Sequence, residues 1–244
     1  MSGIRVALSG AAGRMGRILA PGLEGTPGIE LVARIEQHDD LVAVARAARA
    51  EIVVDFTTPA AAAANARKIL EAGCCGVIGT TGFRETDLVD LDARAQAARL
   101  GVLVAPNFAM GSILLQRFAA EAARILTRCE IVEYHHDGKA DAPSGTALRT
   151  AEAIAAAGSG AGGGPGGGLP GARGADHHGV RIHAIRLPGF VAHQEVIFGG
   201  LGEVLTLRHD AISRECYLPG VVLGVREIRG RVGLLRGLES LLPR

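Results

Sequence analysis

Tryptophan is absent from the 244 residues, and aromatic side chains make up only 3% of them. The interior must therefore be packed from Ala, Val, Leu and Ile rather than from large rings. Cysteine is scarce too, limited to Cys74, Cys75, Cys129 and Cys216. An adjacent pair and two distant singles fit neither a C-x-x-C redox pair nor thiolate zinc spacing, so they read as reduced, partly buried thiols. No run approaches the roughly 20 apolar residues of a membrane span, and no signal peptide precedes the first strand-like segment; a cytoplasmic protein with no membrane partner is expected. Neither sign of charge is in excess, and the formal net charge of +1 lacks the basic footprint of a nucleic-acid binder. Against these absences, 48% hydrophobic and 21% charged residues are enough for a packed core, in one large domain or two modest ones.

Apolar runs and helical patterns alternate along the first part of the chain. IRVALSG (4–10) reads as a buried strand, followed by a helix from GRMGRILAPGL broken near Pro21. IELVARIE (29–36) is a second strand, ARAAR continues a helical segment, and EIVVDFTTP (51–59) is a third strand. Its proline opens an Ala-rich helix closed by Gly73 as C-cap. CGVIGTTG (75–82), a further helix and VLVAPNF (102–108) complete the series. The alternation predicts an α/β domain with a parallel sheet covered on both faces.

The pattern then changes. GSILLQRFAAEAARIL (111–126) reads as a helix, CEIVEYHH as a strand and SGTALRTAEAIAAAG as a helix. GSGAGGGPGGGLPGARG (158–174) reads as a flexible excursion. Three β-like runs, VRIHAIRL, VAHQEVIFG and EVLTLRHD, predict a mostly antiparallel mixed sheet in an α+β domain. The tail reads as helical and returns to the first domain. The expected division is 1–107 plus 217–244 against 108–216.

GAAGRMG (10–16) follows the first strand and opens a helix. Gly10, Gly13 and Gly16, with Ala11, Ala12, Arg14 and Met15 between them, suit a tight turn that brings backbone N–H groups to a pyrophosphate. Glu36 lies twenty residues beyond Gly16 and is placed to accept both ribose hydroxyls of an adenosine. Arg14 could instead meet a 2′-phosphate. Residues 37–40 carry no Arg or Lys, so the expectation leans to NADH with NADPH tolerated. Phe56, Thr57, Gly79, Thr80 and Gly82 fall at strand ends, where ligands bind in such folds. Phe56 either stacks near a nicotinamide or packs the core. Ala105, Asn107 and Phe108 form the far wall and the hinge.

EYHHDGKADAPSGTA (133–147) is the richest polar stretch. Ser144, Gly145 and Thr146 sit where a helix begins, and its unpaired N–H groups and dipole favour a carboxylate; an ordinary N-cap is the alternative. His135, His136 and Lys139 supply positive charge and protons. Adjacent histidines on a strand face opposite ways, so one contacts substrate while the other supports the loop. HH…D also suggests metal ligation, but no second cluster completes it and no metal is expected. Arg208 or His209 would be a second cationic element. His177, His178, His183 and His193 read as structural or surface residues.

Together GAAGRMG, DFTTP, GTTG, APNF, EYHHDGKADAPSGTA, IRLPGFVAHQEVIFGG and LTLRHD resemble the dihydrodipicolinate reductase family of bacterial lysine and diaminopimelate biosynthesis, over residues 4–226. The resemblance implies a Rossmann-type dinucleotide-binding domain, a second α+β mixed-sheet domain that binds substrate and closes over the first, and a homotetramer built through the second-domain sheets. It implies an NAD(P)H-dependent reduction of a cyclic imine dicarboxylate, with hydride added at C4 and a proton delivered by His135 or Lys139. It further implies that His136, Gly145 and Thr146 bind the substrate carboxylates, and that Gly10, Arg14, Met15, Glu36, Gly79 and Thr81 contact the dinucleotide. Gln37, following Glu36, departs from a basic residue that would favour NADPH. Asp137–Gly138 makes the Lys139 loop acidic and flexible. The alternatives are another two-domain NAD(P)-dependent amino-acid or sugar dehydrogenase, or a dinucleotide-sensing protein without catalysis.

Overall fold

The computed structural model describes residues 3–158 and 169–242. The chain divides into two compact units, residues 1–109 with 214–244 and residues 110–213.

The first unit is built on a six-stranded sheet. In chain order its elements are β1 (Ile4–Ser9), α1 (Gly16–Glu24), β2 (Ile29–Ile35), α2 (Leu41–Ala47), β3 (Ile52–Asp55), α3 (Pro59–Glu71), β4 (Cys75–Ile78), α4 (Glu85–Ala98) and β5 (Gly101–Val104). The spatial order is β2-β1-β3-β4-β5 plus one further strand beside β5, and every pairing is parallel. Such strands are buried on both faces, which is why β3 and β4 are short and wholly apolar except for Asp55 and Gly76. Ile35, Leu41, Val53, Ile69, Ile78, Leu91 and Val102 join strands to helices α2, α3 and α4 in one core.

Local chemistry sets the element ends. Pro59 is the first residue of α3, where its missing N–H costs nothing. Gly73 follows the cap of α3 at φ +81°; its N–H bonds to the Leu70 carbonyl and that of Cys74 to the Ile69 carbonyl. β3 stops at Asp55, earlier than the expected end at residue 59, because the Asp55 carboxylate takes the Thr57 N–H and hydroxyl and turns the chain away.

Two expectations need correction. The helix over Pro21 is not broken there: α1 runs through it, held by buried Leu19, Ala20 and Leu23 with the proline ring in solvent. The tail is only partly helical. Residues 214–217 form a short 3-10 turn that leads into a helix over Leu218–Ile228, and Gly233–Arg236 is a strand in parallel register with β5. Gly233, at φ +90°, opens the strand after the turn over residues 229–232.

The second unit begins with α5 (Met110–Ala123), β6 (Arg128–His135) and α6 (Gly145–Ala156). It continues through β7 (Ala175–His177), β8 (Val180–Arg186), β9 (Ala192–Gly200) and β10 (Glu203–Ala211). With the tail elements α7 (Leu218–Ile228) and β11 (Gly233–Arg236), this completes the numbering. The sheet order is β10-β9-β6-β8-β7, antiparallel except between β6 and β8. β7 was not expected; it is a three-residue edge strand joined to β8 through His178 and Gly179, both at positive φ as a two-residue hairpin turn requires. Cys129, Ile131, Ile182, Val196 and Phe198 share a core with Leu115 and Ala119 of α5 and Ala147, Ala151 and Ile154 of α6. Residues 159–168 of the expected excursion over 158–174 lie outside the described residues.

Candidate active site

In the first unit the sheet changes direction at β1: the chain moves to β2 on one side and to β3 on the other. Ligands of such sheets bind outside the carboxyl ends of the strands at that point. The glycine turn occupies it. Gly10 adopts φ +79°, and a Cβ there would lie 2.8 Å from the Phe56 carbonyl oxygen. A Cβ on Gly16 would lie 2.2 Å from the Gly10 carbonyl oxygen. The Gly13 N–H closes the turn on the Gly10 carbonyl at 3.0 Å. Met15 caps α1 without a side-chain hydrogen bond, so the helix start is open to an anion, as a pyrophosphate requires. Arg14 is exposed and Ala11 is buried beneath the turn.

Glu36 is exposed just past β2, and its Oε1 accepts the Ala12 N–H at 2.7 Å. The carboxylate thus lies against the turn, where an adenosine ribose would follow the pyrophosphate. The Phe56 ring packs over Gly79, where a Cβ would come within 2.2 Å of it, and against Phe108 at 5.5 Å between ring centroids. Phe56 therefore packs against neighbours and remains half-exposed.

Three expected contacts face inward. The Thr80 hydroxyl donates to Asp55 Oδ1 at 2.9 Å, and Thr80 is buried. Ala105 and Phe108 are also buried, so they shape the wall from behind. Asn107 accepts the Ala109 N–H at 2.9 Å and turns the chain after β5. Thr81 is exposed. Thr80 and Thr81 line a cavity of about 350 Å³ with Phe83, Val104, Pro106 and Arg236. Asp55, within DFTTP, shows no sign of its role in the sequence. It is wholly buried and bonds Thr57, Asn65 and Thr80, tying together the three segments that bound this edge.

In the second unit the cluster grows from the end of β6. Residues two apart on a strand share a face, so Glu133 and His135 project to the same side. Glu133 is wholly buried. Its Oε2 bonds His135 Nδ1, while its Oε1 accepts Arg186 Nη2 at 2.7 Å and the Ser144 N–H at 3.2 Å. Burial pushes the Glu133 carboxyl up, but the hydrogen bonds from His135 and Arg186 outweigh it, and the group lies below its ordinary value. The β6–β8 register places His135 opposite Arg186, and Arg186 also donates to the Asp141 carbonyl at 2.7 Å. Arg186 thus braces the loop that carries Lys139.

Lys139 Nζ lies 2.6 Å from Asp141 Oδ1. Hydrogen bonding to Lys139 holds the Asp141 carboxyl below its ordinary value, despite partial burial. The acid facing Lys139 is therefore Asp141. The Asp137 carboxylate instead accepts the Gly138 N–H at 3.1 Å. His136 is partly buried next to Gly138, and its carbonyl accepts the Lys139 N–H at 3.1 Å.

Gly145 and Thr146 form the first turn of α6. Ser144 takes up the N-cap role that the sequence offered as the alternative: it is buried, with Oγ accepting the Ala147 N–H at 3.2 Å. It shapes the cradle from behind. Arg149, one turn along the helix, reaches Thr146 Oγ1 at 3.4 Å and adds a cation unnoticed in the sequence.

Of the two further cations expected, Arg208 lies on the opposite face of the sheet from this cluster, while His209 stands in one row with Gln194 and Glu133. Arg208 pairs with Glu195 and with Asp210 across the sheet face that α5 and α6 leave open. His209 lies against Gly111 of α5, and burial lowers its pKa. His193 bonds Asp210 and His183 bonds Glu130. Among the described residues, the His and carboxylate donors close enough to share an ion are those of Glu152, His177 and His178, none of them in the HH…D motif.

A glycine turn at a parallel-sheet switch point and an acid at the ribose position define a nicotinamide-dinucleotide oxidoreductase, whose second unit holds histidine, lysine and a helix start in one stretch. Family models narrow the class: residues 4–108 match the N-terminal part of dihydrodipicolinate reductase and residues 111–242 its C-terminal part. The chain belongs to the dihydrodipicolinate reductase family. It is 47% identical to the 4-hydroxy-tetrahydrodipicolinate reductase of Moorella thermoacetica over 261 residues, covering 98% of each chain. It is likewise 47% identical to that of Beutenbergia cavernae over 245 residues, again covering 98% of each. The solved dipicolinate-bound dihydrodipicolinate reductase from Paenisporosarcina sp. TG-14 superposes with a TM-score of 0.90 at 36% identity, covering 98% of this chain and all of that one.

Proposed function

We propose that this chain is a 4-hydroxy-tetrahydrodipicolinate reductase that reduces a dehydrated cyclic imine dicarboxylate to tetrahydrodipicolinate with NAD(P)H. The observation that carries this reading is the cluster of His135, His136, Lys139 and the start of α6 in a chain whose relatives bear that name. When bound, the reduced nicotinamide supplies the hydride that adds to C4 of the ring.

The protein's own groups do the rest. The helix start at Gly145 and Thr146 grips one substrate carboxylate, and His136 meets the other. Lys139 stands in an ion pair with Asp141, which substrate carboxylate competes for when it enters. Charge that builds on the conjugated imine is stabilised by the same cations, and His135 or Lys139 then delivers a proton to the carbon next to C4. Gly10, Gly13, Arg14, Met15 and Gly16 hold the dinucleotide phosphates. Glu36 holds the ribose, and Phe56, Gly79 and Thr81 border the nicotinamide. With a carboxylate against the turn and no base among residues 37–40 except His38, NADH is the preferred donor and NADPH is tolerated.

The working form is a homotetramer joined through the second-unit sheets. Helices α5 and α6 cover one face of that sheet. The other presents Tyr134 and a network of Arg208, Glu195, Asp210 and His193, with Val204 71% exposed nearby. A second copy that covers this face would bury such groups by self-complementary pairing.

Pyridine-2,6-dicarboxylate, a planar ring with the same two acids, tests the substrate reading. It is expected to inhibit competitively against the imine substrate, with Glu36→Ala raising KM for NADH more than KM for NADPH. No inhibition at millimolar concentration contradicts the dicarboxylate reading; equal effects on both cofactors contradict the role of Glu36.

A further inference from the structure

A carboxylate wholly removed from solvent is costly unless its charge is matched, and it is kept where its geometry matters. Glu133 meets that description within the second unit. One of its oxygens is shared by Arg186 and the Ser144 N–H; the other is committed to His135 Nδ1. Arg186 is fixed in turn by the Asp141 and Ile185 carbonyls, so the acid cannot turn without losing two braces. The His135 side chain is only 14% exposed and has few orientations left.

We propose that Glu133 is a positioning residue for the reduction, holding His135 by Nδ1 so that Nε2 is the ring nitrogen offered to substrate. The inference rests on the reading of His135 as a proton donor. Imidazole has two nitrogens, and the one that carries the proton in the neutral ring is set by what the other nitrogen bonds. An anionic acceptor at Nδ1 selects the Nδ1–H tautomer. In the proton-transfer step the Nε2–H bond of the imidazolium breaks and a C–H bond forms on the ring carbon next to C4. The electron pair of the enamine-like anion makes the new bond, and the N–H pair stays on Nε2. The ring left behind is the Nδ1–H tautomer, already bonded to Glu133, so no ring rotation separates successive turnovers. Solvent then restores the proton at Nε2.

A structural role alone, as a brace for Arg186 and the start of α6, makes different predictions. Glu133→Gln retains the size and an acceptor oxygen but removes the charge. The expected results are a fall in kcat of at least about tenfold, a KM for NADH within twofold of wild type and an unchanged circular-dichroism spectrum. In a His135→Gln background the same substitution should cost little more, because the two residues act as a unit. Nitrogen-15 NMR of the His135 ring gives a readout independent of activity: Nδ1–H as the neutral tautomer in wild type and Nε2–H, or a mixture, in Glu133→Gln. Glu133→Asp, which keeps the charge, should retain the wild-type tautomer and serves if the Gln variant does not fold. An equal loss in kcat with and without His135, or a wild-type tautomer in Glu133→Gln, overturns the positioning role. If His135→Gln alone keeps wild-type kcat, it is the donor reading of His135 that fails, while the tautomer still decides what Glu133 does.

Discussion

At the scale of single residues, the proposed proton and carboxylate chemistry rests on the stretch from Glu133 to Thr146, and Lys139 gives its sharpest test. Lys139→Ala should lower kcat by about a hundredfold or more while the equilibrium Kd for NADH stays unchanged, since the dinucleotide groups belong to the other unit. Fluorescence titration with NADH beside steady-state rates checks both halves. Gly79→Ala is the converse case. The new methyl would meet the Phe56 ring at 2.2 Å, so the ring must move, and the Kd for NADH should rise by about tenfold with kcat at saturation less affected. Much of this stretch was legible because two histidines, a lysine and a Pro-Ser-Gly-Thr turn stand out in any strand-to-helix connection. Glu133 was missed although a signal existed: it follows Cys129 and Ile131 at the strand period, on the face that packs inward. Arg186 carried no local signal, because its partner is set by the parallel register with β6, some fifty residues earlier. Ser144 was left with two roles because a hydroxyl at a helix start serves the helix and a ligand equally well; its side chain caps α6 and is buried.

At the scale of elements, α4 shows how a helix start binds neighbouring segments. Asp87 accepts the Arg84 N–H at 3.1 Å and its guanidinium at 2.9 Å, and Arg67 of α3 reaches it at 3.2 Å. Chiefly through the Arg84 hydrogen bonds, the carboxyl is pulled down to about 2. The folded value lies below the ordinary aspartate value of about 3.9, so the contribution is present above that value and lost as pH falls through the window toward 2. Urea unfolding of wild type and Asp87→Asn across this window should show a steeper loss in the wild type, with the two converging at its acid end. Parallel slopes would remove Asp87 from the acid response. The parallel strands of the first unit were readable as short apolar runs with glycine exits. β11 was not: GRVGLLRG is too short and glycine-rich to announce a period, and only pairing beside β5 makes it a strand. α1 passes through Pro21 because Leu19 and Leu23 bury on either side of it, so packing overrides the local break.

At the scale of the whole molecule, the division into a dinucleotide unit and a mixed-sheet unit could be read from the change in pattern after residue 108, since βα alternation and antiparallel runs leave different periods. The return of the tail to the first unit was expected as well, from residue 217 rather than 214, because the boundary at 213/214 falls just after β10 without a linker of distinctive composition. Light scattering should give about 100 kDa for four copies of a 25.1 kDa chain, and Val204→Asp with Arg208→Glu should reduce that mass. A monomer at micromolar concentration would remove the assembly from the account. The central claim, that this chain reduces a cyclic imine dicarboxylate, is tested most directly by NADH oxidation at 340 nm while pyruvate and aspartate semialdehyde are fed through the preceding synthase. The account predicts oxidation that depends on both precursors and on the synthase, faster with NADH than with NADPH, and nearly abolished in Lys139→Ala; oxidation at the background rate in the complete mixture would contradict it.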